Sequence, residues 1–238
     1  METTLEVQAI KLTDEIDDAL FNRLLDYLDG TKRERIAKRG NREDAKRTLI
    51  GDLMMRRQIS SRLGIANRDI AMAYNAFGKP VLPHSEGIHF NVSHSGEWIV
   101  CACDNREVGV DVEQVRPMEL NIARRFFHPS EFAQLMAVED SRRLELFFKL
   151  WTLKESYIKA IGKGLSRPLN TFSFDLTSGV PTLDSGIGED EGDYYCKLYD
   201  WDQHYLVAVC SRSALLPDAI DRMELVSFCR EVLEHPAN

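Results

Sequence analysis

Asp111 and Glu113 stand two residues apart in the run Gly109-Val110-Asp111-Val112-Glu113. In a strand, alternation sends both carboxylates to one face and turns Val110 and Val112 toward a core. Like charges held together repel, so the pair is either solvated surface or gathered around a cation or basic group. A second run, Trp151-Thr152-Leu153-Lys154-Glu155-Ser156-Tyr157-Ile158-Lys159, carries Glu155 and Lys159 four apart. Leu146, Leu150, Leu153, Tyr157 and Ile161 mark an apolar helical stripe, and Glu155 and Lys159 share a face in the favourable order. Read alone, that pair is an ordinary surface ion pair worth ~0.3–0.5 kcal/mol. The third run, Asn91-Val92-Ser93-His94-Ser95, brings hydroxyls and an imidazole to the end of a strand. Free backbone N–H groups at such a turn can nest an anion. A structural histidine fits the same pattern.

Taken together, the three runs suit a phosphorylated substrate. Asp111, Glu113 and Glu155 are hard oxygen donors without His or Cys, the set that Mg²⁺ takes while keeping waters and accepting phosphate oxygens. Lys32, Lys79 and Lys159, with His94, then neutralise the remaining phosphate charge. Neither G-x-x-x-x-G-K-[ST] nor G-x-G-x-x-G occurs, so the common nucleotide cradles have no support.

These residues need elements to position them. Amphipathic helices are expected over 14–28 and 31–39, and a longer one from Asn41 to Leu63, N-capped by Asn41 and closed by Gly64. Gly78, Pro80 and Pro83 make 75–83 a loop. His89–Ser93 and Trp98–Cys103 read as a hairpin turning at Ser95-Gly96, with Val108–Glu113 as a further strand. Helices follow at Asn121–Phe127, Ser130–Met136 and Arg142–Ile161, the last stopped by Gly162 and Gly164. Strands are expected at Phe172–Leu176, Tyr194–Tyr199 and Tyr205–Cys210, a polar loop at Gly179–Asp193 and a final helix over Asp218–Leu233. Helices followed by antiparallel-looking strands occur once in each half, which argues for an α+β fold of two similar halves, 1–105 and 106–238.

The composition agrees with this frame. The chain has 238 residues, 44% apolar and 29% charged, with 14 Gly and 8 Pro, which excludes collagen-like and mainly disordered classes. No run approaches the ~18 apolar residues of a membrane span. No basic flank precedes an apolar core at the N-terminus, so the expectation is a cytoplasmic protein without a membrane partner. Five cysteines without a C-x-x-C pair read as reduced, buried thiols, with Cys101 and Cys103 on one strand face. The formal charge of -8 weighs against a nucleic-acid partner. Even so, eleven basic residues against six acids between Arg23 and Arg57 form either a solvated helix face or a site for a multiply phosphorylated ligand.

The ordered set Phe77-Gly78-Lys79-Pro80, Phe90-Asn91-Val92-Ser93-His94-Ser95, Gly109–Glu113 and Trp151–Lys159 resembles the 4′-phosphopantetheinyl transferases, and within them the surfactin-synthetase-activating (Sfp) type. Arg47-Thr48-Leu49-Ile50-Gly51-Asp52, Arg125-Phe126-Phe127 and Gly162-Lys163-Gly164-Leu165 extend the likeness. The resemblance implies a monomer of two pseudo-twofold halves with coenzyme A in the cleft between them. It implies Mg²⁺-dependent transfer of 4′-phosphopantetheine from coenzyme A to a serine of an apo acyl or peptidyl carrier protein, releasing adenosine 3′,5′-bisphosphate. On this reading Asp111, Glu113 and Glu155 hold Mg²⁺, Lys159 meets the phosphate under attack, and Ser93 and His94 grip coenzyme A phosphates. Lys32, Arg35, Thr48, Gly78, Lys79 and Pro80 surround the 3′-phosphate and adenine, Arg35 standing where close relatives often carry Lys. Glu155 and Glu131 are the candidates for the general base, and the carrier docks around Asn121–Met136. Two alternatives stand beside this: a Mg²⁺-dependent hydrolase that cuts a coenzyme A-like pyrophosphate with water, and a nucleic-acid-binding module using Arg23–Arg57.

Overall fold

A computed structural model describes residues 5–13, 15–83, 87–186 and 193–234. In chain order the elements of the first half are β1 (Glu6–Lys11), α1 (Asp18–Leu25), α2 (Gly30–Ala37), α3 (Arg42–Leu63), β2 (Ala73–Tyr74), β3 (Pro80–Val81), β4 (His89–Ser95) and β5 (Trp98–Asp104). There follow β6 (Val108–Gln114), α4 (Asn121–Phe126), α5 (Pro129–Ala137), α6 (Asp140–Ile161), β7 (Ser173–Asp175), β8 (Thr182–Asp184), β9 (Tyr195–Asp202), β10 (Tyr205–Ser211), β11 (Asp221–Met223) and α7 (Leu225–Glu234).

Two sheets lie face to face between two layers of helix. One has the order β11-β1-β5-β4, the other β6-β10-β9. Strand β5 shows why its sequence is apolar on both sides. Ile99, Cys101 and Cys103 enter a core built with α1, α3 and α7, while Trp98, Val100 and Ala102 enter the core between the sheets. The second sheet mirrors this division. Val108, Val110 and Val112 of β6 meet the inter-sheet core, and Ala208 and Cys210 of β10 join α6 in a third core. All five cysteines are buried free thiols.

The two 22-residue helices, α3 and α6, are related in role. Each ends at a glycine in the left-handed region, Gly64 at φ 64° and Gly162 at φ 66°, where other residues are strained. Asn41 caps α3 by accepting from the Asp44 N–H at 3.0 Å. Each helix also meets its sheet through a glycine. A Cβ on Gly51 of α3 would lie 2.8 Å from Val92 Cγ1, and one on Gly109 of β6 would lie 2.1 Å from the Ser156 carbonyl oxygen of α6.

Four segments differ from the sequence expectation, the first being the expected loop 75–83, where Pro80–Val81 pairs antiparallel with Ala73–Tyr74. The chain's first strand, β1, was not anticipated; it pairs antiparallel with β5 and parallel with β11. The final helix begins only at Leu225, because Glu224 accepts from the Val226 and Ser227 N–H groups and so caps it, while 221–223 go to the sheet. Leu225, Phe228 and Cys229 of α7 pack into the first core, so the last two elements complete the first half rather than the second. Within the polar loop Gly179–Asp193, Thr182–Asp184 pairs with β7; residues 187–192 of that loop lie outside the described residues. Among the described residues no helix is long and apolar enough to cross a membrane.

Candidate active site

The site forms where the edge strands of the two sheets meet. Strand β4 turns Asn91, Ser93 and Ser95 toward β6, and these side chains take the place of a backbone ladder. Asn91 Oδ1 accepts from the Val110 N–H at 2.9 Å, Ser93 Oγ from Val112 at 3.3 Å and Ser95 Oγ from Gln114 at 3.1 Å. The period of two in N-x-S-x-S thus matches the period of two in the strand it clasps. Each serine also donates onward: Ser93 to Asp111 Oδ1 at 2.8 Å and Ser95 to Glu113 Oε2 at 3.0 Å.

Helix α6 closes the site from the other side. Lys159 Nζ donates to Asp111 Oδ1 at 2.6 Å and to Ser93 Oγ at 2.9 Å. Trp151 Nε1 donates to Glu113 Oε1 at 3.3 Å. Burial pushes the carboxyls of Asp111, Glu113 and Glu155 above the ordinary carboxylate range. At Asp111 the charge and hydrogen bond of Lys159 pull back against burial, whereas at Glu113 the charge of Asp111 adds to it. At Glu155, Lys159 opposes the rise and Asp111 adds to it. The second Asp111 oxygen, Oδ2, is buried without a partner. One buried and two half-buried carboxyls, with an orphaned oxygen on Asp111, fit a divalent cation. As the side chains stand, no three His, Cys, Asp or Glu residues among those described are drawn together closely enough to hold an ion, and Lys159 supplies the positive charge at Asp111.

The other expected residues fall into different places. Lys32, Arg35 and Pro80 line a cavity of about 510 Å³ with Met55, Arg56, Met72 and Tyr74. Thr48 lies on α3 four residues before Asp52, which also lines that cavity, so the two share a helix face. Thr48 Oγ1 donates to the Asp44 carbonyl at 2.8 Å. His94 is on the α3-facing side of β4, exposed, opposite in direction to Ser93. Gly78 lies in an exposed turn at φ 86°. Lys79, expected at a phosphate, is committed elsewhere. Its ammonium donates to the carbonyls of Val108, Lys159 and Ala160 at 3.2, 2.6 and 2.9 Å, fastening the 75–79 loop to the end of α6.

Glu131 requires a correction. Its side chain and that of Lys154 are both 0% exposed and stand 2.7 Å apart. Glu131 also accepts from the Phe174 and His128 N–H groups, closing a capping box at the start of α5. A carboxylate sealed in the core by three donors cannot reach a substrate hydroxyl, so Glu131 is structural.

The basic stretch 23–57 is largely neutralised within the fold. Lys32 pairs with Asp52, Arg33 with Asp26, Lys38 with Glu34, Arg39 with Asp44, Arg42 with Asp18, Lys46 with Glu43 and Arg57 with Glu231. That pairing removes the continuous positive face a nucleic-acid module needs. Asn91, Ser95, Trp151 and Arg56 were not assigned from sequence. The serine and asparagine spacing in N-x-S-x-S was the signal for the first two; nothing in the sequence separates Arg56 from its basic neighbours.

Comparison with known proteins points one way. A family model for the 4′-phosphopantetheinyl transferase superfamily matches residues 107–210, and one for the N-terminal part of a 4′-phosphopantetheinyl transferase matches residues 16–106. The 4′-phosphopantetheinyl transferase Sfp of Bacillus subtilis (strain 168) is 37% identical over 207 residues, 87% of this chain and 90% of that protein. The gsp transferase of Aneurinibacillus migulanus is 40% identical over 171 residues, 72% of this chain and 71% of its own length. The human L-aminoadipate-semialdehyde dehydrogenase-phosphopantetheinyl transferase is 32% identical over 205 residues, 76% of this chain and 66% of that protein.

Proposed function

The chain belongs to the 4′-phosphopantetheinyl transferases, and we propose that it moves 4′-phosphopantetheine from coenzyme A to a serine of an apo acyl or peptidyl carrier protein. The observation that carries the reading is the junction of Ser93, Asp111 and Lys159, where two strand edges and a helix bring a buried carboxyl, an ammonium and a hydroxyl to one point. In this reading the diphosphate of coenzyme A lies over that junction. Lys159 leaves Asp111 for the phosphate under attack and stabilises the oxygens that gain charge as the P–O bond breaks. Ser93 holds a neighbouring oxygen of the diphosphate, and His94, on the α3-facing side of β4, meets a coenzyme A phosphate from that side. The cavity of Lys32, Arg35 and Pro80, with Thr48 above it on α3, takes the adenosine and its 3′-phosphate.

Asp111, Glu113 and Glu155 would hold Mg²⁺, which when bound neutralises diphosphate charge and polarises the phosphoryl group. Glu155, half-buried on α6 one helical turn before Lys159, takes the serine proton. The serine oxygen forms a bond to the pantetheine-side phosphorus, and adenosine 3′,5′-bisphosphate leaves. Both family-matched halves sit in one chain, which supports a monomer, and the buried free thiols suit the cytoplasm.

Incubation with coenzyme A, Mg²⁺ and an apo carrier domain tests the proposal by intact mass. The carrier is expected to gain one phosphopantetheine while adenosine 3′,5′-bisphosphate accumulates, and chelation should stop both. Cleavage of coenzyme A with no change in the carrier, or transfer that persists in chelator, overturns it.

A further inference from the structure

Arg56 holds together the walls of the Lys32 cavity. It lies on α3 one turn beyond Asp52 and is only 5% exposed. Nη1 donates to the Asn67 carbonyl and to Asn67 Oδ1, both at 3.3 Å, and to the Ile70 carbonyl at 3.4 Å. Nη2 donates to Asp29 Oδ2 at 3.3 Å, and Nε stands at ion-pair distance, 3.5 Å, from Asp52 Oδ2. Both aspartates in turn grip Lys32. Asp29 Oδ1 accepts its backbone N–H at 2.9 Å as the N-cap of α2, and Asp52 Oδ1 meets its ammonium at 2.8 Å. Lys32 is therefore tethered at its backbone and at its tip, and both tethers end on one guanidinium.

We infer that Arg56 is a positioning residue that aims Lys32 at a phosphomonoester, and that it thereby selects coenzyme A over a ligand lacking the 3′-phosphate. The inference rests on the proposed function, in that it takes coenzyme A as the occupant of this cavity. The charges agree with a dianionic ligand. Lys32, Arg35, Arg56 and Arg68 face Asp29 and Asp52 there, so the positive groups outnumber the acids. The geometry also demands a planar fork. One guanidinium spans two carboxylates and two carbonyl-bearing residues, whereas an ammonium is a point charge that cannot bridge them. Without the fork, Asp52 and Asp29 keep their negative charge but lose their fixed positions. Lys32 then moves with them instead of offering its ammonium to the ligand.

The test compares coenzyme A with 3′-dephospho-coenzyme A as donors for a carrier domain, and measures adenosine 3′,5′-bisphosphate binding by calorimetry. The wild-type chain should favour coenzyme A. In Arg56→Lys that preference should fall by about tenfold, the scale of one charge-assisted hydrogen bond to phosphate, with the loss in KM rather than kcat. Binding of adenosine 3′,5′-bisphosphate should weaken by the same factor. The near-isosteric Asp52→Asn, which frees the Lys32 ammonium without changing volume, should shift the preference in the same direction and carries the test if Arg56→Lys does not fold. An unchanged preference in both variants overturns the role of Arg56, as does an equal loss with both donors, which marks Arg56 as a structural clip. A wild-type chain indifferent to the 3′-phosphate overturns the placement of coenzyme A in the cavity itself.

Discussion

Gly109→Ala tests whether the site depends on how closely α6 lies on β6. The added Cβ would stand 2.1 Å from the Ser156 carbonyl oxygen, 2.3 Å from the Ala160 nitrogen and 2.8 Å from the Lys159 carbonyl carbon. These are backbone atoms of a buried helix, so no side chain can swing aside. Restoring an ordinary separation requires α6 to rise by roughly 1–1.5 Å, since non-bonded heavy atoms settle near 3.5 Å. Overpacking of this kind costs about 1–3 kcal/mol, against which the lower entropy of the unfolded alanine chain returns only about 0.4–1 kcal/mol. A net loss near 1–2 kcal/mol lowers Tm by roughly 2–8 °C for a chain of this size. The effect on turnover is larger, because Glu155 and Lys159 ride on the displaced helix and a shift of about 1 Å can cost ~100-fold in rate. Gly51→Ala is the control. Its Cβ would meet the Val92 Cγ1 methyl at 2.8 Å and Ile99 Cγ2 at 3.4 Å, side-chain atoms that can give way. Urea denaturation and the rate of carrier mass gain measure both variants. Gly109→Ala with wild-type stability and turnover would refute the argument.

Three further outcomes are expected. Lys159→Ala removes the donor to Asp111 and Ser93 and should lower kcat/KM by ~100–1000-fold; an unchanged kcat/KM takes it out of the mechanism. Glu131→Ala leaves the buried Lys154 ammonium without a counter-charge, bonded only to the Phe172 carbonyl, and should cost about 3–5 kcal/mol in urea unfolding, while the folded fraction keeps its turnover; a folded, inactive variant would restore a catalytic role. His89 is held below its ordinary pKa, first by burial and then by the Lys79 charge, so the unfolded chain binds more protons near pH 6.5. Stability should therefore fall as pH drops through and below that value, and His89→Gln should flatten the slope; an equal slope in both proteins contradicts the assignment.

How much of this was legible in the sequence follows from the range of each signal. The start and end of α3 were readable because Asn41, Glu43, Asp44 and Gly64 act within one turn of their own positions. The common face of Asp111 and Glu113 was readable from strand alternation alone. Strand β1 was not, since Glu6-Val7-Gln8-Ala9 gives a short, diluted alternation and its pairing partners lie some ninety and two hundred residues away. The same limit applies to side chains with two plausible uses. Lys79 looks like a phosphate ligand by residue type, yet the carbonyls at the end of α6 claim its ammonium. Glu131 looks like a free acid until Lys154, twenty-three residues on, is seen to close over it.

The clasp between β4 and β6 explains why the Asn91, Ser93 and Ser95 positions and the acids opposite them must be read as one unit. Ser93 Oγ accepts from the Val112 N–H and the Lys159 ammonium and donates to Asp111. One hydroxyl thus joins the two sheets, orients a carboxyl and anchors α6. A change in the spacing between the halves must therefore be felt at Asp111, and a change in charge at Asp111 must be felt in how the halves hold together. Replacing the serine with a residue of similar volume but no hydroxyl leaves the Val112 N–H and Asp111 short of a partner at the same moment, a combined loss that ordinary surface hydrogen bonds do not produce. The backbone ladder that could have joined these strands would have held the sheets equally well but left no side-chain oxygen facing the acids. Substituting side chains for that ladder is what places the chemistry on the seam.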